Sequence, residues 1–334
     1  MPVSINGNTG ITFPDGSLQT AAASPFVLKN RIINGAMQVW QRGTSFTNNA
    51  NGTYTVDRFS TTTSGINLTI TQDTLVPSAT FKYSLKAVPA SNATASECGI
   101  RQFIEQQNIT DFAGQTVTGS AWVYSSKSTV KFRLGTQNAT GGTDVVQNVS
   151  VTAATWTRIT FSFSSYAAVT AWTSTPNASG GFLDIGFADS TALTTSDYLY
   201  ITGVQLEVGT SATPFERRLY NQELANCQRY YWKWVPSSSL SHLGIGISGT
   251  ATTAYIVTGK LPVTMRVSPA IATPSSCRIY DGTSVVVTAI AGNFSSVDYF
   301  TCDMTTASGL TANRIAMFGA NNTLSASVEF SSEL

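Results

Sequence analysis

The stretch Tyr198-Leu-Tyr-Ile-Thr-Gly-Val-Gln-Leu-Glu-Val-Gly-Thr-Ser-Ala-Thr-Pro-Phe-Glu-Arg-Arg218 predicts the end of one domain. Its first ten residues alternate between two faces with the period of a sheet strand. One face carries Tyr198, Tyr200, Thr202, Val204 and Leu206. Proline has no backbone N–H and disfavours helical geometry in the residue before it, so Thr213-Pro214 cannot continue a central strand. We therefore expect a closing strand over 198–207 and a turn near Pro214.

The sequence after Arg217 changes to the period of an α-helix. Residues at helical spacings form one stripe, namely Leu219, Tyr220, Glu223, Leu224, Cys227, Gln228 and Tyr231. This is the one convincing helix in the sequence, and it indicates a domain boundary close to Pro214. The alternative is that the helix decorates a single long β fold.

Several strings of residues cluster around this boundary and near the start of the chain. They are Gly203-Val-Gln-Leu-Glu-Val-Gly209, Ala212-Thr-Pro-Phe-Glu216, Tyr220-Asn-Gln-Glu-Leu-Ala-Asn-Cys-Gln-Arg-Tyr-Tyr231, Asn34-Gly-Ala-Met-Gln-Val-Trp-Gln-Arg-Gly43, Val56-Asp-Arg-Phe59 and Gly10-Ile-Thr-Phe-Pro-Asp-Gly-Ser-Leu-Gln-Thr20. Together they resemble a recurrent pattern of bacteriophage tail-fibre and other virion-appendage proteins. The resemblance covers residues 5–231 and implies a jelly-roll domain like the carbohydrate-binding modules.

Strand-like segments separated by Gly, Asn and Ser turns fill the rest of the chain. Before the helix they are 66–70, 81–87, 116–124, 130–134, 145–151, 158–163, 182–187 and 198–207. Beyond the helix they are 230–235, 251–259, 278–289, 297–304, 314–318 and 325–330. About eight to ten such strands fit a two-sheet jelly roll. Within 278–289, Asp281-Gly282 predicts a type I′ turn between two strands.

The sequence therefore predicts an all-β protein, and its 334 residues allow two domains with cores of their own. An extended N-terminal attachment segment covers 1–25, and a jelly-roll β-sandwich covers 26–216. The short helix and a connector cover 217–235. A second, smaller β domain covers 236–334, and we interpret its loops as the receptor-binding tip.

Charged residues are scarce, at 11% of the sequence against roughly 25% in ordinary globular proteins. The 19 basic and 18 acidic residues form no run of either sign, which argues against nucleic acid or an anionic membrane as the main partner. No apolar stretch approaches the ~20 residues that cross a bilayer, and the first residues do not resemble a signal peptide. We therefore expect assembly in the host cytoplasm.

The N-terminal segment has two short extended pieces on either side of a turn sequence at 14–16. Ile11, Phe13 and Leu18 are its candidate contact residues. An isolated hairpin is marginally stable, so this one would need to dock on another protein or pair with identical copies. We interpret residues 1–25 as an attachment segment, with disorder as the alternative.

The sequence identifies no catalytic centre. The single histidine, His242, has no Ser and Asp in an arrangement that suits triad chemistry. Glycoside hydrolysis needs two carboxyl groups within ~5–10 Å of each other in a cleft, and no motif selects such a pair among the 18 acids. We therefore expect a protein without enzymatic activity, with a glycan depolymerase as the alternative.

A metal cluster is not expected either, because the four cysteines show no Cys-x-x-Cys spacing and no nearby histidine. Buried free thiols are the favoured interpretation, and a Cys277–Cys302 pair is the alternative. Jelly-roll modules of this kind often bind a structural Ca²⁺, for which Asp57 is the one weak candidate. An ion pair with Arg58 or Arg42 explains Asp57 equally well. No other cofactor is expected.

The aromatic content favours a binding function. Aromatic faces hold the apolar C–H surfaces of sugars, and polar side chains hold their hydroxyls. Trp40 and Trp122 suit the sandwich core, whereas the Gly- and Ser-rich neighbourhood of Trp172 predicts exposure. Trp232 and Trp234, in the dense aromatic string that follows the helix, are the other glycan candidates. A subunit or domain contact is the alternative for that string.

These observations and the resemblance lead to one hypothesis about the function of the protein. It is a structural phage virion protein, a tail or baseplate fibre that attaches to a host-surface glycan as a homotrimer. Its N-terminus would contact other tail or baseplate proteins, and weak sugar contacts multiplied over copies would give firm attachment. The alternatives are a capsid-decorating head fibre and a carbohydrate-binding module outside any virion.

Overall fold

The computed structural model describes residues 4–6, 10–12, 18–19 and 29–334. Near the N-terminus three short strands pair in an antiparallel sheet, namely β1 (Ser4–Asn6), β2 (Gly10–Thr12) and β3 (Leu18–Gln19). Ile11 and Leu18 lie on β2 and β3, whereas Phe13 lies outside the described residues. That this segment attaches the chain to a virion stays a prediction.

The next part of the chain is a β-sandwich, which confirms the expected all-β, jelly-roll architecture. Its strands are β4 (Ser45–Asn49), β5 (Ser60–Ser64), β6 (Leu68–Asp73), β7 (Ser84–Pro89), β8 (Ala93–Ala95), β9 (Glu97–Glu105), β10 (Val117–Ser125), β11 (Thr129–Thr136), β12 (Ala139–Thr140), β13 (Val145–Ser150), β14 (Thr157–Phe163), β15 (Ala171–Trp172), β16 (Ser179–Phe187), β17 (Thr191–Leu193) and β18 (Leu199–Val208). Two short 3₁₀ helices, Gln106–Asn108 and Thr110–Phe112, follow β9.

Two antiparallel sheets form the sandwich. The first has six strands in the order β14-β10-β18-β7-β6-β4, and the second has five in the order β13-β11-β16-β9-β5. Two small pairs, β12-β15 and β17-β8, stand beside them. Apolar side chains from the facing surfaces of both sheets form a single hydrophobic core, which is the packing that makes a sandwich stable.

In the closing strand β18, the alternation of side chains between the two faces of the sheet is interrupted once. Ile201 and Leu206 are both fully buried in the core, although an unbroken period of two would place them on opposite faces. A β-bulge at Gly203, where φ is +62°, inserts the extra residue that shifts the phase. The prediction that Tyr200 and Leu206 share a face was therefore wrong: Tyr200 faces outward and Leu206 faces the core.

The predicted helix is α1 (Tyr220–Gln228). Its buried residues are Glu223 and Cys227, whereas Leu219, just before the helix, is 78% exposed. Polar contacts with the sandwich, described below, therefore hold the helix more than an apolar stripe does.

The C-terminal part is a second β unit with its own hydrophobic core. Its strands are β19 (Tyr231–Trp234), β20 (His242–Thr250), β21 (Thr253–Lys260), β22 (Ala270–Ile271), β23 (Cys277–Tyr280), β24 (Ser284–Asn293), β25 (Tyr299–Thr306), β26 (Ile315–Ala320) and β27 (Val328–Ser331). Six of them close a barrel in the order β20-β21-β25-β24-β23-β26, and β19-β27-β22 form a small sheet beside it. β19 lies in the segment that the sequence assigned to the connector.

The β23-β24 hairpin is present, but its turn differs from the expected one. Tyr280 pairs with Ser284, which leaves a loop of three residues, 281–283, instead of the two of a type I′ turn. Asp281 is buried and accepts hydrogen bonds from the N–H groups of Thr283 (3.1 Å) and Thr311 (2.6 Å). These bonds fix the wider loop against a neighbouring segment.

The four cysteines all belong to the described part of the chain, where each is buried and free. This agrees with the favoured interpretation of buried thiols and excludes a Cys277–Cys302 bond in this structure. No helix among the described residues has the length and apolar character needed to cross a bilayer.

Candidate functional site

A cluster of four aromatic side chains lies on the outer face of the six-stranded sheet. We call Tyr124, Trp156, Tyr198 and Tyr200 the aromatic platform. Tyr198 and Tyr200 flank Leu199, which is fully buried in the core, so their rings point to the opposite side of β18. Trp156 lies immediately before β14, and together with Tyr124 at the end of β10 it extends the cluster over three adjacent strands.

The four rings contact one another closely. Tyr124 and Tyr198 are stacked, with ring centroids 5.7 Å apart and planes 19° from parallel. Tyr200 meets Tyr124 edge-on at 5.6 Å, and Trp156 lies 5.7 Å from Tyr124. Tyr124, Trp156 and Tyr198 are half-buried, so part of each ring faces solvent while its neighbours fix its position. A preorganised apolar surface of this kind suits the C–H face of a sugar ring.

Polar groups adjoin the platform along the strand register. Tyr200 pairs with Lys86, and Lys86 pairs with Thr71. The Lys86 ammonium lies 5.2 Å from the centre of the Tyr200 ring, within the range of a cation–π contact. The indole N–H of Trp156 is buried and has no hydrogen-bond partner among the described residues. A water molecule or a ligand hydroxyl would satisfy that donor.

A polar depression lies at the same end of the sandwich as the platform. It has a volume of about 460 Å³ and is lined by Asn48, Asn51, Thr63, Gly65, Ile66, Asn67 and Ser91. The N–H of Asn48 donates to the Thr69 hydroxyl at 3.4 Å. Thr69 in turn pairs with Val88 of β7, the strand next to β18. Thr69 and Val88 therefore lie on the strands between the depression and the platform.

The three tryptophans selected from the sequence do not meet at one place. Trp172 is half-buried rather than exposed, and it packs beside Tyr166, with the ring centroids 6.2 Å apart. Trp232 stacks on Phe330 at 5.0 Å, and Trp234 also packs against the C-terminal core. A role for these three in glycan binding stays a prediction.

Asp57 is a buried hydrogen-bond acceptor in the fold. Its two carboxylate oxygens accept from the N–H and the side-chain amide of Gln41, each at 2.6 Å. Burial raises the pKa of Asp57 to about 6, while neighbouring Arg42 acts to lower it. The alternative of an ion pair between Asp57 and Arg58 or Arg42 is not what the structure shows, since both arginines pair with Glu333. The described residues contain no group of three His, Cys, Asp or Glu side chains that could hold a metal ion.

The motif residues at the start of the sandwich form a junction with the C-terminal unit. The Arg42 guanidinium lies 3.5 Å from the centre of the Tyr231 ring and pairs with Glu333 at 3.1 Å. The Gln41 side chain donates to the Tyr231 carbonyl at 2.8 Å, and the Tyr54 hydroxyl donates to the Leu334 carbonyl at 2.8 Å.

The other motif strings hold the helix against the sandwich. Glu223 of α1 accepts a hydrogen bond from the backbone N–H of Asn34. The Asn34 side chain donates to the carbonyls of Val39 and Asp57, at 2.9 and 3.1 Å. Arg218 donates to the Ile32 carbonyl at 3.1 Å. The residues that carry the resemblance therefore connect the sandwich to helix α1 and to the C-terminal unit, through contacts within this chain.

The platform was missed in the sequence because its members come from three separate segments. Only the i, i+2 spacing of Tyr198 and Tyr200 predicted two rings on one face. Tyr124 and Trp156 join them through the pairing of β10 with β14 and β18, and strand register cannot be read from composition. His242, the single histidine, lies exposed on β20 of the barrel, far along the chain from these residues.

No family model and no curated protein matches this chain. Among solved structures, the CBM22-1 xylan-binding domain of Paenibacillus barcinonensis is similar over 56% of this chain and 100% of its own, at 16% identity and a TM-score of 0.30. The enzymatically active domain of tailspike protein 4 of bacteriophage CBA120 is similar over 54% of this chain, at 14% identity and a TM-score of 0.34. An arabinose-bound α-L-arabinofuranosidase is similar over 57% of this chain, at 16% identity and a TM-score of 0.36. The chain spans 21% of the tailspike structure and 28% of the arabinofuranosidase structure. The jelly-roll assignment rests on the two facing sheets themselves.

Proposed function

We propose that this protein is a non-enzymatic structural component of a phage virion, a tail or baseplate fibre that binds host-surface glycan as a homotrimer. The aromatic platform is the observation that carries the glycan-binding part. The resemblance of the motif strings to virion-appendage proteins supports the virion part.

In this proposal the platform binds a sugar chain by stacking and hydrogen bonding. The exposed parts of the Tyr124, Trp156 and Tyr198 rings cover the apolar C–H face of a sugar unit. The tyrosine hydroxyls and the Lys86 ammonium hydrogen-bond to its hydroxyl groups. Asp197, the residue before Tyr198, is held by the Ser126 hydroxyl at 2.8 Å and by the Lys127 ammonium at 3.1 Å. We assign the platform a binding role, without the pair of carboxyl groups that glycoside hydrolysis needs.

A single platform of this size would bind weakly. Several copies held in one assembly raise the effective concentration of every further site once the first has bound. A fibre with three platforms would therefore attach firmly to a dense sugar coat while each contact stays exchangeable.

Two experiments test this proposal. A glycan array probed with the full chain should give specific signals, and an array without any signal would contradict glycan binding. Cryo-EM of the virion should place the chain in threefold clusters at the tail. Density on the capsid lattice would contradict the tail assignment and identify a head fibre.

A further inference from the structure

The outer surface of the barrel carries a contiguous apolar patch over three adjacent strands. We call its six side chains the barrel face, namely Ile245 and Ile247 of β20, Tyr255 and Val257 of β21, and Ile315 and Met317 of β26. Five of the six are 44–70% exposed, and Ile315 is the most exposed of these five.

The strand register places these side chains side by side. Ile247 pairs with Tyr255 on one flank and with Ile315 on the other. In the next row Ile245 pairs with Met317. The residues between them in sequence, such as Ile256 and Ala316, are fully buried inside the barrel. At these three strands, apolar side chains therefore cover both the inner and the outer surface of the barrel.

The barrel face has charges of opposite sign on its two flanks. Asp303 of β25 pairs with Tyr255 and borders the face on the β21 side. On the β26 side, the Arg314 guanidinium reaches the Asp281 carbonyl at 3.5 Å, in the turn of the neighbouring hairpin. Arg278 of β23, paired with Gly319, lies on that same side. At one end of the face Lys260 of β21 lines a depression with Ile245 and Met317. The row formed by Tyr255, Ile247 and Ile315 contains no charged residue.

We propose that the barrel face is the surface through which copies of this chain contact one another. Side chains of this size and exposure present roughly 500 Å² of apolar surface, which matches the largest patch of a typical monomer, a patch that is often functional, and is over half of the ~800 Å² that each partner gives to a standard interface. Around a rotation axis parallel to the strands, the acidic flank of one copy meets the basic flank of the next. The pattern thus complements itself, which favours a second copy over an unrelated partner.

This assignment rests on the proposed oligomer and gives it a contact surface. It assigns the contact to three strands of the barrel, in addition to the N-terminal segment that the sequence indicated. The number of copies around the axis follows from the mass of the assembly. Glycan binding by the aromatic platform does not depend on this surface, because the platform lies on the jelly roll.

Sedimentation velocity of the full chain at micromolar concentration tests the assignment. The wild type should sediment as an oligomer. Ile247→Asp and Tyr255→Asp should each raise, at least tenfold, the protein concentration at which half of the chains are associated. Leu324→Asp is the matched control, since Leu324 is 60% exposed and lies between β26 and β27, outside the barrel face. A wild-type monomer would overturn the oligomer itself. An oligomer that resists both variants would overturn only the barrel face.

A charge exchange gives a second, independent readout. Asp303→Arg alone and Arg314→Asp alone should each weaken association, because each places like charges together across the contact. The double variant should recover most of the wild-type association. Additive losses in the double variant would contradict the pairing of these flanks. A circular dichroism spectrum like that of the wild type would show that every variant is folded.

Discussion

Arg58 of the jelly roll and Glu333, one residue before the C-terminal Leu334, form an ion pair in which both side chains are almost completely buried, at 1% and 6% exposure. The Arg58 guanidinium also lies 3.4 Å from the centre of the Tyr230 ring and donates to the Phe103 carbonyl at 2.7 Å. The end of the chain therefore returns to the sandwich and joins the two units.

Glu333→Gln should destabilise the protein strongly, because it leaves the Arg58 charge buried without a counter-charge. Breaking a buried pair in this way costs about 3–5 kcal/mol. Glu329→Gln is the matched control, four residues earlier, where Glu329 pairs with Lys233 in a surface contact with side-chain exposures of 40% and 24%. Such surface pairs contribute at most about 1 kcal/mol. Calorimetric unfolding of both variants measures the difference, and equal losses would show that the junction pair is not special.

The buried carboxyl of Asp57 should make stability depend on pH. Burial raises its pKa to about 6 in the folded protein, against ~3.9 in an unfolded chain. The folded form therefore binds the proton more tightly, so this group contributes stability that is complete below pH ~4 and is lost as the pH rises through about 6. The full contribution is about 3 kcal/mol. Urea unfolding of the wild type and of Asp57→Asn at several pH values measures it, and parallel pH profiles would contradict it.

The bulge at Gly203 should tolerate no side chain. A Cβ there would lie 2.8 Å from the Phe81 ring, in a backbone with φ of +62°. Gly114→Ala is the control, because Gly114 has φ of +73° and no atom within 4 Å of an added Cβ. The left-handed backbone alone costs about 1–2 kcal/mol, so Gly203→Ala should lose more stability than Gly114→Ala. Equal losses in urea unfolding would show that the bulge has room.

Strands with apolar alternation could be predicted from the sequence, and strands that bury polar groups could not. β5 reads Ser-Thr-Thr-Thr-Ser, yet its first four residues are buried. β9 is an interior strand of the five-stranded sheet, but it carries Arg101 and Gln102. Arg101 is paired with Asp184 at 2.6 and 2.8 Å, and Gln102 exchanges two hydrogen bonds with Ile33. Partners so distant in sequence give no local signal.

The same reason explains why the sequence did not indicate the aromatic platform. Local composition made Trp172 look exposed, although Tyr166 and the core cover part of it. The platform depends on the register of β10, β14 and β18, which only the folded sheet fixes. The junction between Arg58 and Glu333 spans 275 residues, so the sequence indicated the motif around Arg58 but not its partner.

The most direct test of the central claim is calorimetric titration of Tyr124→Ala with the glycan that the wild type binds. Tyr124 contacts the other three rings of the platform, so its loss should weaken binding tenfold or more, which is about 1.4 kcal/mol. Phe294→Ala is the control, since Phe294 is 65% exposed on the C-terminal unit, and it should bind as the wild type does. Unchanged affinity in a folded Tyr124→Ala protein would contradict the claim that the aromatic platform is the glycan site.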